Sequence, residues 1–258
     1  MGAATDAVVR RLRDAGCVFA EDEAALLLAE ASDPQQLEAM IRARVDGRPL
    51  EQLLGWVVFR GRRLVVDEGV FVPRQRTGLL VELASARLHE GATVVELCCG
   101  VAPVGAALLA EWPGRLELWA SDIDPTAVRS ARHNLEPLGG AVVVGDLFGG
   151  LPDHLRGSID VLVANAPYVP SASIPLMPRE ARDHEAATAL DGGTDGLDVQ
   201  RRLIAASSEW LPAGAHLIVE TSTRQAERTA GLMESAGYSA VIRRDEELDG
   251  TAVEGVRR

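Results

Sequence analysis

The chain has 258 residues, enough for one large domain or for a small domain joined to a medium one. Hydrophobic residues make up 47% and aromatic ones 4%, so the core must come from Ala, Val and Leu, and no apolar run nears the roughly 18 to 20 residues that span a bilayer. A net charge of −12 argues against holding nucleic acid through its phosphates, and three cysteines (Cys17, Cys98, Cys99) without C-x-x-C spacing argue against a disulfide framework or a zinc site.

The start, Met1-Gly2-Ala3-Ala4-Thr5-Asp6, lacks the basic-then-apolar order of a secretory leader, so the expected location is the cytoplasm, with no membrane partner. Residues 1–54 read as helices. Thr5 is placed to cap a segment with Val8, Val9 and Leu12 on one face, and Gly16 to end it. Glu21–Ala31 is rich in Ala and Leu, and Ser32-Asp33-Pro34 restarts a helix that Gly47-Arg48-Pro49 breaks. Short β-like pieces follow: Trp56–Phe59, a turn at Arg60-Gly61-Arg62, Leu64–Val66 and Phe71-Val72.

From residue 73 onward strand and helix alternate. Thr77–His89 reads as a helix and Thr93–Leu97 as a strand, followed by a helix ending near Glu111. Leu116–Ser121 is the next strand, and Asp124-Pro125 caps and starts the next helix. Ala141–Val144 and Asp160–Ala164 are further strands, and a long polar loop, Val169–Asp195, precedes a helix ending near Trp210. Strand Ala215–Glu220, helix Arg224–Ser235 and late strands near Ser239–Arg244 and Thr251–Val256 finish the chain. Alternation of this kind predicts an α/β fold with a doubly wound, mostly parallel sheet.

Ligands in such sheets bind at the carboxyl ends of the strands. Three features meet there. The loop Glu96–Gly105 is expected to present free N–H groups and a helix N-terminus, with Glu96, Cys98 and Gly100 beside the ligand. Asp122, next to Ile123, lies 22 residues beyond Gly100, a spacing that suits a carboxylate accepting from ribose hydroxyls. Asp146 and Leu147 suit the edge and face of an adenine. Singly each feature is structural more often than functional; together they favour an adenosine-containing ligand. G-x-G-x-x-G is absent, and no Lys-Ser/Thr follows Gly105. An acidic pocket tolerates a sulfonium better than a pyrophosphate, so the expected cofactor is S-adenosylmethionine. No metal is expected.

Strand Asp160–Ala164 runs into Asn165-Ala166-Pro167-Tyr168, which sets an amide, a free carbonyl and an aromatic ring at the strand end. The trio suits a planar NH2 group, gripped by its two hydrogens and packed on one face. The bland reading is that Asn165 caps a loop and Tyr168 fills a groove.

With these residues the chain resembles the HemK/PrmC-type protein-(glutamine) methyltransferases over nearly its whole length. The family's Asn-Pro-Pro-Tyr corresponds to residues 165–168, and its Pro-Arg-Pro-x-Thr-Glu segment to Pro73-Arg74-Gln75-Arg76-Thr77-Gly78. Glu185 and Ala189-Leu190-Asp191-Gly192-Gly193-Thr194-Asp195-Gly196-Leu197 are similar to its Glu-Pro … Ala-Leu-x-Gly-Gly-x-Asp-Gly-Leu stretch. The resemblance implies a class I methyltransferase sheet with the last strand antiparallel. It also implies a helical substrate-recognition domain (1–54), the hairpin linker (55–72) and a methyltransferase domain (73–258).

The implied substrate is a glutamine side-chain amide in a protein, in this family the Gly-Gly-Gln motif of peptide chain release factors. The implied site has Asn165, Ala166, Pro167 and Tyr168 at the reacting amide. Asn165 also faces the cofactor, and Arg74, Thr77 and Glu185 shape the substrate loop. The family's Gly-Thr-Gly-Ser-Gly reads Cys98-Cys99-Gly100-Val101-Ala102 here, so two glycines have gained a Cβ. Two alternatives remain at this stage: methylation of another planar amine or amide (a small molecule or adenine), and a non-catalytic cofactor-binding protein.

Overall fold

The computed structural model describes residues 3–258; Met1 and Gly2, read above as part of the terminus, lie outside the described residues. Four helices open the chain: α1 (Ala3–Asp14), α2 (Ala20–Glu30), α3 (Pro34–Val45) and α4 (Leu50–Leu54). Helix α1 already begins at Ala3, so Thr5 lies inside it rather than capping it. At α3, by contrast, Asp33 is the cap: its side chain accepts from the Gln35 and Gln36 N–H groups. The four helices share a core of their own, with Leu12, Ala24, Leu27 and Ile41 fully or nearly fully buried.

Strands β1 (Trp56–Phe59) and β2 (Arg62–Val65) form an antiparallel hairpin. Phe71-Val72 does not continue it as a strand. The Val72 N–H donates to the Glu185 carboxylate at 3.2 Å and the Val70 carbonyl accepts from Gln52 Nε2 at 3.0 Å, so side chains take the bonds a neighbouring strand would have made.

The remainder alternates β3 (Ala92–Leu97), β4 (Leu116–Asp122), β5 (Ala141–Val144), β6 (Val161–Ala164), β7 (His216–Glu220), β8 (Tyr238–Asp245) and β9 (Gly250–Arg257) with helices α5 (Gly78–Ser85), α6 (Pro103–Glu111), α7 (Pro125–Leu135), α8 (Arg179–His184), α9 (Ala187–Leu190), α10 (Asp198–Ser207) and α11 (Ala226–Ser235). The helix read over Thr77–His89 is shorter than expected: a single 3₁₀ turn, Gln75–Thr77, leads into α5, which ends at Ser85. The sheet order is β5-β4-β3-β6-β7-β9-β8. Pairing is parallel through β7, and the last strand, β9, is antiparallel to both neighbours. Strands β3 and β6 are buried along their whole lengths, as central strands with helices on both faces must be. Their carboxyl ends, Leu97 and Ala164, are paired with each other, which brings the loops that follow them together. No helix among the described residues is long and apolar enough to cross a membrane.

Candidate active site

A cavity of about 830 Å³ opens at those carboxyl ends. Its wall contains Arg74, Thr77, Glu96, Cys98, Gly100, Asp122, Ile123, Asp146, Leu147, Asn165, Ala166, Pro167 and Tyr168. Glu185 stands behind it. One of its oxygens accepts from Val72 N–H and, at 2.7 Å, from Arg74 Nη2, so it holds Arg74 rather than facing a ligand. Burial raises its pKa against the pull of that guanidinium.

The loop after β3 differs from expectation in one respect that decides its chemistry: the N–H groups of Cys99, Gly100, Ala102, Val104 and Gly105 are already paired. Glu96 is buried and accepts from Gly105 N–H at 2.6 Å and Val104 N–H at 3.3 Å, so a carboxylate from β3 occupies the first turn of α6. Burial pushes its pKa up to about 8 despite those two donors. Asp122 Oδ2 accepts from Gly100 N–H at 2.8 Å and Oδ1 from Asp124 N–H at 2.9 Å; burial raises this carboxyl too. The Cys99 N–H goes to the Ser121 carbonyl at 3.1 Å and the Ala102 N–H to the Cys99 carbonyl at 2.7 Å. A pyrophosphate would find the helix end already taken.

Cys98, Gly100 and Ala102 have φ of 52°, 55° and 57°. The backbone is left-handed at every second residue, although two of the three carry a Cβ. Burial raises the Cys98 thiol well above its ordinary pKa, so it is a packing group and not a thiolate. Asp146, expected at an adenine edge, is paired with Arg202 of α10 at 2.6 Å, and Leu147 beside it is left-handed, φ 55°.

At the end of β6, Ala166 is fully buried and Asn165 half-buried. Both residues belong to the cavity wall, and among the described residues no donor reaches the Asn165 side-chain oxygen or the Ala166 carbonyl, so both acceptors are unused. The Asn165 amide nitrogen donates to Thr77 Oγ1 at 3.4 Å, and that hydroxyl donates to Glu220 Oε2 at 2.7 Å. The Tyr168 hydroxyl donates to Glu220 Oε1 at 3.3 Å and accepts from Arg76 Nη2 at 3.0 Å. Burial pushes Tyr168 up to about 12, with the Glu220 charge adding to it. Sequence reasoning missed Arg76 and Glu220, although Glu220 ends strand β7 just as Asp122 ends β4.

The Asp191–Leu197 stretch lies on this motif. Val169 N–H donates to the Leu190 carbonyl at 3.0 Å and Gly192 N–H to the Val169 carbonyl at 2.9 Å. A Cβ at Gly192 would stand 2.7 Å from the Pro167 carbonyl oxygen, and one at Gly196 would overlap the Tyr168 carbonyl at φ 77°. The glycines are there because backbone meets backbone.

A sequence model of the Methyltransferase small domain matches residues 62–193. A release factor glutamine methyltransferase from Cereibacter sphaeroides is 32% identical over 257 residues, covering 91% of this chain and 90% of the relative. The chain belongs to the release factor glutamine methyltransferase family. Family proteins from Bifidobacterium longum (30% identical, 89% of this chain, 90% of the relative) and Geobacter sulfurreducens (33%, 80% and 73%) are similar to it as well. Among solved structures, a 16S rRNA N2 G1207 methyltransferase from T. thermophilus (16% identical, TM-score 0.55, 79% of this chain and 50% of that one) and a ribosomal protein L11 methylase from Lactobacillus delbrueckii (16%, TM-score 0.52, 75% and 84%) share the class I methyltransferase sheet. Within the release factor glutamine methyltransferase family pattern, the three glycine positions of the cofactor loop are the three left-handed residues above.

Proposed function

We propose that this chain transfers a methyl group from S-adenosylmethionine to the side-chain amide nitrogen of a glutamine in a peptide chain release factor, at its Gly-Gly-Gln motif. The observation that carries this reading is the pair of unused acceptors, Asn165 Oδ1 and the Ala166 carbonyl, in the wall of one cavity with the acidic strand ends. The fit to the cofactor rests on the same wall. Glu96 closes the helix end against phosphates, while Asp122, Ile123, Asp146 and Leu147 offer carboxylates and apolar surface to a ribose and an adenine.

S-adenosylmethionine supplies an electrophilic methyl carbon on a sulfonium. The chain's task is to present the nitrogen. An amide nitrogen shares its lone pair with its carbonyl and is a poor nucleophile. Asn165 and Ala166 accept its two hydrogens, fix its direction and favour a more pyramidal geometry, while Tyr168 packs against the amide plane. Positioning of this kind supplies up to ~7 to 11 kcal/mol of barrier reduction without a strong base. Ala166 serves as well as the family's proline here, because the contact is made by a main-chain carbonyl.

The helical residues 1–54 are proposed as the substrate-recognition domain, 55–72 as the linker and 73–258 as the methyltransferase domain, supported by the separate core of α1 to α4. The test is mass spectrometry of a release factor incubated with the protein and isotopically labelled S-adenosylmethionine. One labelled methyl on the glutamine of Gly-Gly-Gln is expected; label on another residue type, or none, refutes the proposal.

A further inference from the structure

A carboxamide presents two ends of nearly equal size, and only the oxygen end accepts substrate hydrogens. Rotating Asn165 by half a turn about its last bond would set N–H against N–H. Something must choose the end. Thr77 is 1% exposed and its hydroxyl has one proton, which goes to Glu220 Oε2 at 2.7 Å. With its proton committed to that oxygen, Thr77 Oγ1 is left with lone pairs alone toward Asn165. The Asn165 amide nitrogen donates into them at 3.4 Å, and a turned amide would aim oxygen at oxygen. Glu220 itself is 3% exposed, and its other oxygen receives the Tyr168 hydroxyl at 3.3 Å, with Arg76 Nε at 3.5 Å as counter-charge.

We infer that Glu220 is a positioning residue: acting through the Thr77 hydroxyl it sets which end of the Asn165 carboxamide faces the substrate, and through the Tyr168 hydroxyl it sets the ring. One buried carboxylate thereby orients both halves of the substrate grip, an inference that rests on the reading of Asn165 as an amide acceptor. Neither Thr77 nor Glu220 needs to touch the reacting atoms. Removing the hydroxyl frees Asn165 to turn. Replacing the carboxylate with an amide lets residue 220 donate, and the direction of the whole chain of bonds is lost.

The test is a thermodynamic cycle read in kcat for methyl transfer to a release factor, using Thr77→Val, Thr77→Ser, Glu220→Gln, Asn165→Ala and the double variant Thr77→Val/Asn165→Ala. Melting temperature and S-adenosylmethionine affinity are measured alongside. Thr77→Val and Glu220→Gln are each expected to lower kcat roughly 10- to 100-fold, the scale of a misplaced reacting group. Thr77→Ser, which keeps the hydroxyl, should stay within about threefold of the wild type. In the Asn165→Ala background, Thr77→Val should change kcat by less than about twofold, because there is no carboxamide left to orient. Two results overturn the inference while leaving the acceptor reading intact. One is near-wild-type kcat for Thr77→Val with Asn165→Ala impaired; the other is an equal loss from Thr77→Val in both backgrounds. Wild-type kcat in Asn165→Ala would instead remove the acceptor reading, and the inference with it. If Glu220→Gln does not fold, the Val and Ser variants at residue 77 decide alone.

Discussion

Asn165 and Ala166 belong to the cavity wall, their side-chain and main-chain oxygens have no donor among the described residues, and a substrate amide would satisfy both. Truncating Asn165 to Ala would leave an amide hydrogen without a partner, a loss of roughly 1 to 3 kcal/mol, or about 5- to 150-fold in kcat/KM. Steady-state kinetics at subsaturating release factor reads this directly, and an unchanged value would remove Asn165 from the grip.

Gly100 offers a different single-residue test. Its φ is 55° and no atom lies within 4 Å of where a Cβ would stand, so Gly100→Ala isolates backbone strain. The expected loss is about 1 to 2 kcal/mol of stability, seen as a lower denaturation midpoint. Glu96 gives the pH dependence. Its folded-state value near 8 lies above the ordinary 4.5, so its contribution is full below the lower value and is lost as pH rises through the higher. Relative to Glu96→Gln, the wild type should therefore lose stability between about pH 5 and pH 8, by up to about 1.4 kcal/mol per pH unit. Urea unfolding across that range checks it, and parallel curves for the two proteins would contradict it.

At the scale of elements, the glycine-rich stretch after α9 braces the motif after β6. Gly196→Ala adds a Cβ where the Tyr168 carbonyl stands and forces a side chain into a left-handed backbone. Overpacking and strain together should cost about 2 to 4 kcal/mol, with a fall in kcat larger than any change in cofactor affinity. Calorimetric binding beside turnover separates the two.

The strands were the most legible elements. Val161–Ala164 and Ala141–Val144 are short Val-rich runs, the first bounded by Asp160 and Asn165 and the second by Gly140 and Gly145, and the sequence places both within a residue of where they lie. The stretch 169–195 was opaque: it reads as a polar loop, yet it holds a 3₁₀ turn at Ser171–Leu176 and helices α8 and α9 of six and four residues. Helices that short show no periodicity; tertiary contacts hold them. The donors of the cofactor loop were misread for a related reason. Nothing local says that Glu96, at the end of β3, reaches back to cap α6. The site's outline was readable from strand-end residues, but its second layer of Glu220, Arg76 and Arg202 joins residues up to 143 positions apart and appears only in three dimensions.

In the whole molecule, the helical unit is tied to the cavity mouth through Arg44. Its guanidinium, 8% exposed, pairs with Glu23 of α2 at 2.6 Å and with Glu180 of α8 at 2.6 Å. Gln52 of α4 adds a bond to the His184 carbonyl at 3.1 Å. Arg44→Ala leaves Glu23 buried without its partner, for an expected loss of about 3 to 5 kcal/mol. Because α8 contributes Glu180 and Ala181 to the cavity wall, the same variant should raise KM for an intact release factor more than for a short Gly-Gly-Gln peptide. Equal changes for the two substrates would separate the helical unit from recognition.

The central claim is geometric, and a ternary structure tests it most directly: the protein with S-adenosylhomocysteine and a Gly-Gly-Gln peptide. The expected result places the glutamine amide nitrogen about 2.7 to 3.2 Å from both Asn165 Oδ1 and the Ala166 carbonyl oxygen. A bound peptide whose amide nitrogen lies beyond hydrogen-bond reach of either oxygen would contradict the account.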